Sequence, residues 1–180
     1  MYFSYFDIEK VDEAVIKRGV SKLKEYRKEV GRVVAENDDT KPEYSLVHPQ
    51  NPEVHDEIET VRKRFKGIKH LVLVGIGGSN LGTEAVHSVL DPGKVHLHTL
   101  DTVSAHDIER LLMTLQPVKK TSQIAICIIS KSGGTAETLV NAGVLLDALV
   151  KRLGEAVYEQ TVFIGNAKTD FMKAGKRMGV

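Results

Sequence analysis

Residues 71–82 read Leu71-Val72-Leu73-Val74-Gly75-Ile76-Gly77-Gly78-Ser79-Asn80-Leu81-Gly82. The apolar run has strand length and the pattern of a strand buried on both faces; the glycines after it end the strand and lead into a helical stretch. Outward from this point the order repeats. Val95-His96-Leu97-His98, Ile124-Ala125-Ile126-Cys127-Ile128-Ile129 and Thr161-Val162-Phe163-Ile164 read as strands, with helices expected at about 81–90, 104–115 and 135–153. Buried apolar strands alternating with helices predict an α/β fold, a three-layer αβα sandwich. Its parallel sheet is doubly wound by right-handed crossovers and covered by helices on both faces.

Toward the N-terminus the period changes. From Asp7 to about Asn37, Ile8, Val11, Val15, Val20, Leu23, Tyr26, Val30 and Val34 recur at three- to five-residue steps among charged residues, the pattern of an amphipathic helix. Residues 38–52 contain Pro42, Pro49 and Pro52 and are expected to run as a loop, since the residue before a proline is pushed out of the helical region. A second helix is expected from about Glu53 to Phe65, ended by Gly67. Residues 1–66 thus form a helical lead-in, expected to pack on an α/β domain at 67–180. A last helix begins near Thr169, and the absence of a finishing strand before Val180 reads as a cut in a longer chain.

Composition narrows the partners. With 180 residues, 25 Lys+Arg against 24 Asp+Glu and 42% hydrophobic residues, the chain fits a single soluble globular unit. A net charge of +1 removes the electrostatic reason to expect nucleic acid or an anionic membrane as a partner. No apolar run approaches the roughly 20 residues that cross a bilayer. Met1-Tyr2-Phe3-Ser4 lacks the plan of a secretory signal, so a cytoplasmic location is expected. The single cysteine, Cys127, excludes a disulfide framework or cysteine-based metal site and reads as a buried core thiol.

In an open parallel sheet ligands sit beyond the carboxyl ends of the strands, so the loops there carry the chemistry. The first is Gly75–Gly82, whose four glycines let the backbone approach a ligand and whose Ser79 can cap the helix or bond the ligand. It fails both nucleotide fingerprints: Asn80 stands where the dinucleotide motif needs glycine, and Thr83 follows Gly82 where the P-loop needs lysine. Asp101 can imitate a ribose-binding acid, and a glycine turn built for close packing alone is the bland alternative. The second loop is Ser130-Lys131-Ser132-Gly133-Gly134-Thr135, between the most apolar strand and the next helix. Three hydroxyls, an ammonium and two glycines at a helix N-terminus make a phosphate cradle: hydroxyls donate, glycines expose neighbouring N–H groups as a concave nest, and Lys131 adds charge. Ordinary helix capping explains one hydroxyl, not three. Glu137 suits the first helical turn whether or not it meets a ligand.

Ser130–Thr138 resembles the phosphosugar-binding signature of sugar isomerase (SIS) domains, and Gly75–Gly82 resembles the glycine motif of the glucose-6-phosphate isomerase family. The resemblance runs from about Pro42 to Asn166. It implies an SIS-type fold, a phosphate grip at Ser130, Lys131, Ser132, Gly133, Gly134 and Thr135, and sugar-lining roles for Gly78 and Ser79. It implies a sugar phosphate (glucose 6-phosphate or fructose 6-phosphate) as ligand, no cofactor and no metal. Gly134 stands where many members have threonine, and Thr99-Leu100-Asp101 replaces the usual asparagine-x-aspartate. The family's glycine-glycine-arginine motif, catalytic glutamate, ring-opening histidine and late lysine are expected beyond Val180, in a missing C-terminal domain. No catalytic residue is therefore expected in this chain, and the complete enzyme is expected to be a homodimer. A non-catalytic SIS-type sugar-sensing module of a regulator is the alternative, weakened by the lack of an arginine-rich recognition helix.

The remaining features have bland readings. His96 and His98 share one side of a strand without an acidic residue at ligand spacing. His106 and Asp107 fit a polar helix start, and Arg62-Lys63-Arg64-Phe65-Lys66 fits a helix end complementing the dipole. Neither serine loop has the nucleophile-elbow pattern.

Overall fold

The computed structural model describes residues 12–90 and 93–180. The chain divides into two units, Met1–Thr60 and Val61–Val180, six residues earlier than the expected 66/67 division.

The second unit is built on four strands, β1 (His70–Val74), β2 (His96–Leu100), β3 (Ile124–Ser130) and β4 (Thr161–Gly165). All pair in parallel, in the order β2-β1-β3-β4. The connecting helices are α3 (Gly78–Leu90), α4 (Ala105–Thr114) and α5 (Ala136–Leu153), and α6 (Asp170–Arg177) follows β4. The chain moves outward from β1 to β2, then crosses back over β1 to β3. Right-handed crossovers in opposite directions put α3 on one face of the sheet and α4 and α5 on the other, which is the doubly wound arrangement.

Register sorts the side chains into two layers. Val74, Leu100 and Ile128 share one level and one face, and Val72 and Ile126 share the level below. These residues pack with Ile108 and Leu111 of α4 and with Ala142, Leu145, Leu146 and Leu149 of α5. The expected β2 stopped at His98, but Leu100 pairs with Val74 and is buried, so strand and core continue through it. The opposite face, carrying Leu73, Cys127 and Val162 in register, is less covered. Cys127 is half-buried rather than a fully buried core thiol, because it points away from the α4–α5 layer.

Helix starts follow local chemistry. Ser104 caps α4 by accepting from Asp107 N at 3.2 Å, and Thr169 caps α6 by accepting from Met172 N at 3.3 Å. Phe163 and Phe171 meet with ring centroids 4.8 Å apart, fixing α6 against β4.

In the first unit, α1 (Glu13–Glu36) starts at Asp12, whose carboxylate accepts from Ala14 N at 2.8 Å, and ends at Asn37 in the left-handed region with φ 52°. The expected residues 7–11 of this helix, including Ile8 and Val11, lie outside the described residues. Residues 38–52 are not the plain loop expected. Short 3-10 turns at Pro42–Leu46 and His48–Gln50 precede α2 (Pro52–Arg64). Each proline sits in the first turn of one of them, where its fixed φ is suited and its missing N–H costs nothing.

Candidate functional site

β1 and β3 are neighbours in the sheet, and the connections leaving their carboxyl ends diverge to opposite faces. This is the topological switch point, where an open α/β sheet leaves a crevice. The glycine loop leaves β1 and the serine loop leaves β3, so the crevice receives both.

In the first loop two glycines are required by geometry. A Cβ on Gly75 would lie 3.0 Å from Ser79 Cβ and 3.3 Å from Ile129 O, and Gly77 has φ +56°. Ser79 does not cap α3; it lies inside the first turn, with its N–H donating to Ile76 O at 3.1 Å. Asn80 is buried and donates to Asp101 Oδ2 at 3.4 Å, so Asp101 is tied to α3.

The second loop is organised by its own hydroxyls. Ser130 is 2% exposed; its Oγ accepts from Gly133 N at 3.1 Å and donates to Thr135 Oγ1 at 3.3 Å. Ser132 Oγ accepts from Gly134 N at 3.3 Å. The N–H groups of Gly133 and Gly134 are thus engaged within the loop by the two serine hydroxyls. What remains outward-facing is a pair of relays. Gly133 N–H feeds Ser130 and then Thr135, and Gly134 N–H feeds Ser132, leaving the hydroxyl protons of Thr135 and Ser132 to donate onward. Thr135 is the N-cap of α5 but makes no side-chain capping bond, so ordinary capping does not account for it. Lys131 is exposed and has no carboxylate partner among the described residues.

The two loops meet in a cavity of about 430 Å³ lined by Ile76, Ser79, Ile129, Ser130, Lys131, Ser132, Thr135, Thr138 and Asn166. Gly78, the first residue of α3, and Gly133 and Gly134 in the serine loop are not part of its lining. Two polar lining residues, Thr138 and Asn166, were not assigned roles from sequence. Thr138, one turn into α5, is 1% exposed, and its Oγ1 has no hydrogen-bond partner. A buried polar atom left alone costs about 1–3 kcal/mol, and of the buried side-chain atoms without a partner among the described residues, Asn80 Oδ1, Thr138 Oγ1, Asn141 Oδ1 and Gln160 Oε1, Thr138 Oγ1 alone belongs to a lining residue of this cavity, which makes it a candidate ligand contact. Asn166 follows β4. The helix dipole, Lys131 and the uncommitted hydroxyls together make the cavity suited to an anion with several oxygen acceptors.

Other candidates resolve differently. His96 and His98 are joined by His70, which sequence reading missed because only the β1–β2 register brings it alongside. His70 Nδ1 lies 3.1 Å from His98 Nε2, and its ring stacks with both others. Burial, then the neighbouring cations, holds His70 and His98 below the ordinary histidine range. Among the described residues no group of histidine, cysteine or carboxylate side chains is arranged to hold a metal ion. Asp107 Oδ1 accepts from Arg110 at 2.9 Å, while the exposed His106 has its Nδ1 3.9 Å from the same oxygen, beyond hydrogen-bond distance. Arg64 donates to Glu159 O at 2.8 Å, taking one member of the basic run. No helix among the described residues is long and apolar enough to cross a membrane.

The phosphoglucose isomerase family model matches residues 4–179. The chain belongs to the phosphoglucose isomerase family. Among relatives carrying the name glucose-6-phosphate isomerase, the protein from Thermus thermophilus is 39% identical over 107 residues, covering 59% of this chain and 25% of its own length. That from Carboxydothermus hydrogenoformans is 29% identical over 149 residues, covering 76% and 31%. Among solved structures, a hypothetical protein from Thermus thermophilus superposes with TM-score 0.68 and 30% identity, covering 91% of this chain and 39% of that one. A glucose-6-phosphate isomerase from Chlamydia trachomatis superposes with TM-score 0.58 at 20% identity over 72% of this chain and 25% of its own, a likeness of fold. The chain thus spans about a quarter to a third of the length of these two relatives, and 39% of the hypothetical protein.

Proposed function

We propose that residues 67–180 are the phosphosugar-binding SIS domain of a glucose-6-phosphate isomerase, with residues 1–66 as its helical lead-in. The observation that carries this reading is the single cavity in which Ser79 from one loop joins Ser130, Lys131, Ser132 and Thr135 from the other at the N-terminus of α5. The phosphate of glucose 6-phosphate or fructose 6-phosphate takes the hydroxyl protons of Ser132 and Thr135, the charge of Lys131 and the α5 dipole. Gly133, with φ +70°, serves by shaping the loop, and Gly78 and Gly134 by leaving the approach to Ser79 and to the cradle open, with no Cβ in the way. The orphan hydroxyl of Thr138 supports the same anion.

Aldose–ketose isomerisation needs a base to carry a proton between adjacent carbons, an acid to open the ring, and an anchor that holds the sugar in register. This chain supplies the anchor. Its 180 residues contain no Gly-Gly-Arg, and the carboxylate nearest the cradle in sequence, Glu137, is exposed in the first turn of α5. The base and ring-opening acid come from the part of the relatives' length that this chain does not span. The complete enzyme works in the cytoplasm, as a homodimer, in glycolysis and gluconeogenesis, with no cofactor.

Phosphate titration of single variants tests the anchor. Ser132→Ala and Thr135→Ala each remove one hydroxyl bond to a charged group, about 1.5–3 kcal/mol, or roughly 10- to 150-fold in Kd. Unchanged phosphate affinity in both variants would contradict the assignment.

A further inference from the structure

Neither sequence motif supplies Asn166, which lines the cavity from the loop after β4. Two close approaches build that loop into the cradle. A Cβ on Gly165 would lie 2.5 Å from Ser130 O, and a Cβ on Gly133, whose φ is +70°, would lie 2.6 Å from Thr169 Cβ. The loops after β3 and β4 therefore rest on each other with no room for a side chain at either glycine.

Asn166 sits in this fixed turn. Its backbone oxygen accepts from Thr169 Oγ1 at 2.7 Å and from Thr169 N at 3.0 Å, and its Oδ1 accepts from Lys168 N at 3.2 Å. With that oxygen engaged by the turn, the carboxamide offers a ligand its NH2, a neutral pair of donors. Charge neutralisation in the cavity already falls to Lys131 and the α5 dipole, so a neutral donor pair has a different use. It suits an uncharged oxygen that accepts, such as a sugar hydroxyl. The sheet order β2-β1-β3-β4 sets the loop after β4 on the far side of the serine loop from the glycine loop, so Asn166 and Ser79 flank the cradle.

We propose that Asn166 is a specificity residue for the sugar: its Nδ2 donates to a hydroxyl of the bound sugar phosphate from the β4 side of the crevice. This rests on the phosphosugar reading above. Asn166 then separates a sugar phosphate from bare phosphate, since bare phosphate has no hydroxyl extending that far and gains nothing from the carboxamide. A site built to bond a hydroxyl loses discrimination when the bonding group is removed.

The test compares inorganic phosphate with glucose 6-phosphate on the 180-residue chain. In the wild-type protein the Asn166 Nδ2 amide signals shift with glucose 6-phosphate and stay in place with phosphate. Asn166→Ser keeps an oxygen for Lys168 N and removes the donor pair. It weakens glucose 6-phosphate by roughly fivefold or more, the size of one neutral hydrogen bond, and leaves the Kd for phosphate within about twofold. Equal weakening of both ligands, no weakening of either, or identical Nδ2 shifts with both would overturn the role of Asn166 while leaving the cradle standing. Failure of the wild-type chain to bind either ligand in the serine loop would overturn the cradle itself, and the role of Asn166 with it. The side-chain signal decides the matter in wild-type protein even where Asn166→Ser folds poorly.

Discussion

Thr138 carries two opposed demands. Its Oγ1 is buried without a partner, which a folded chain tolerates at a cost of about 1–3 kcal/mol. Thr138→Val keeps the shape and removes the orphan, so the unliganded protein should gain about 1 kcal/mol in urea unfolding. The same variant should bind phosphate more weakly. A variant that loses stability would show that the hydroxyl serves the fold and not a ligand. Gly165 and Gly134 make a second pair of opposites. A Cβ at Gly165 meets backbone at 2.5 Å, whereas one at Gly134 meets nothing within 4 Å. Gly165→Ala should cost about 1–3 kcal/mol or more, while Gly134→Ala should be neutral or stabilising by about 0.4–1 kcal/mol through the unfolded chain. Denaturant midpoints of the two variants compare them directly. The thiol of Cys127, pushed up to about 11 by burial, should stay protonated and react slowly with iodoacetamide at pH 8.

At the scale of elements, the His70–His98 contact joins β1 to the edge strand β2. Both rings are held below the ordinary value of 6.5, so the folded state binds protons less readily than the unfolded chain. Their contribution is fully present above pH 6.5 and is lost as pH falls through the lowered folded values. Stability should therefore decline below about pH 6.5, and His98→Gln should flatten that part of the curve; an unchanged slope in the variant would assign the decline to other groups. Elements also mark how far sequence carries. The strands and the two loops were legible because apolar runs and clustered glycines and hydroxyls are local signals. The neighbourhood of β1 and β3 was not, because β2 lies between them in the chain and only the crossover makes them adjacent. For the same reason Thr138, at the end of the serine motif, and Asn166, after β4, were given no role. His70 became visible only through register. Nor does anything local reveal that serine hydroxyls engage the Gly133 and Gly134 N–H groups.

For the whole molecule, the central claim is that three loops, after β1, β3 and β4, form one anion-and-sugar site at the switch point of the sheet. The anchor and the chemistry are separable in this account. General acid–base groups contribute roughly 10²–10⁴-fold each, so the 180-residue chain alone should convert fructose 6-phosphate below detection while still binding it. Turnover that persists in protein free of host enzyme and disappears in Glu137→Gln would move the base into these residues. The most direct measurement is a backbone amide titration with glucose 6-phosphate. Saturable shifts are expected at residues 76–80, 130–138 and 166; competing inorganic phosphate reverses those at 76–80 and 166 while 130–138 stay perturbed by the phosphate that takes the sugar phosphate's place. Shifts confined to other regions, or none in the serine loop at saturating ligand, would contradict it.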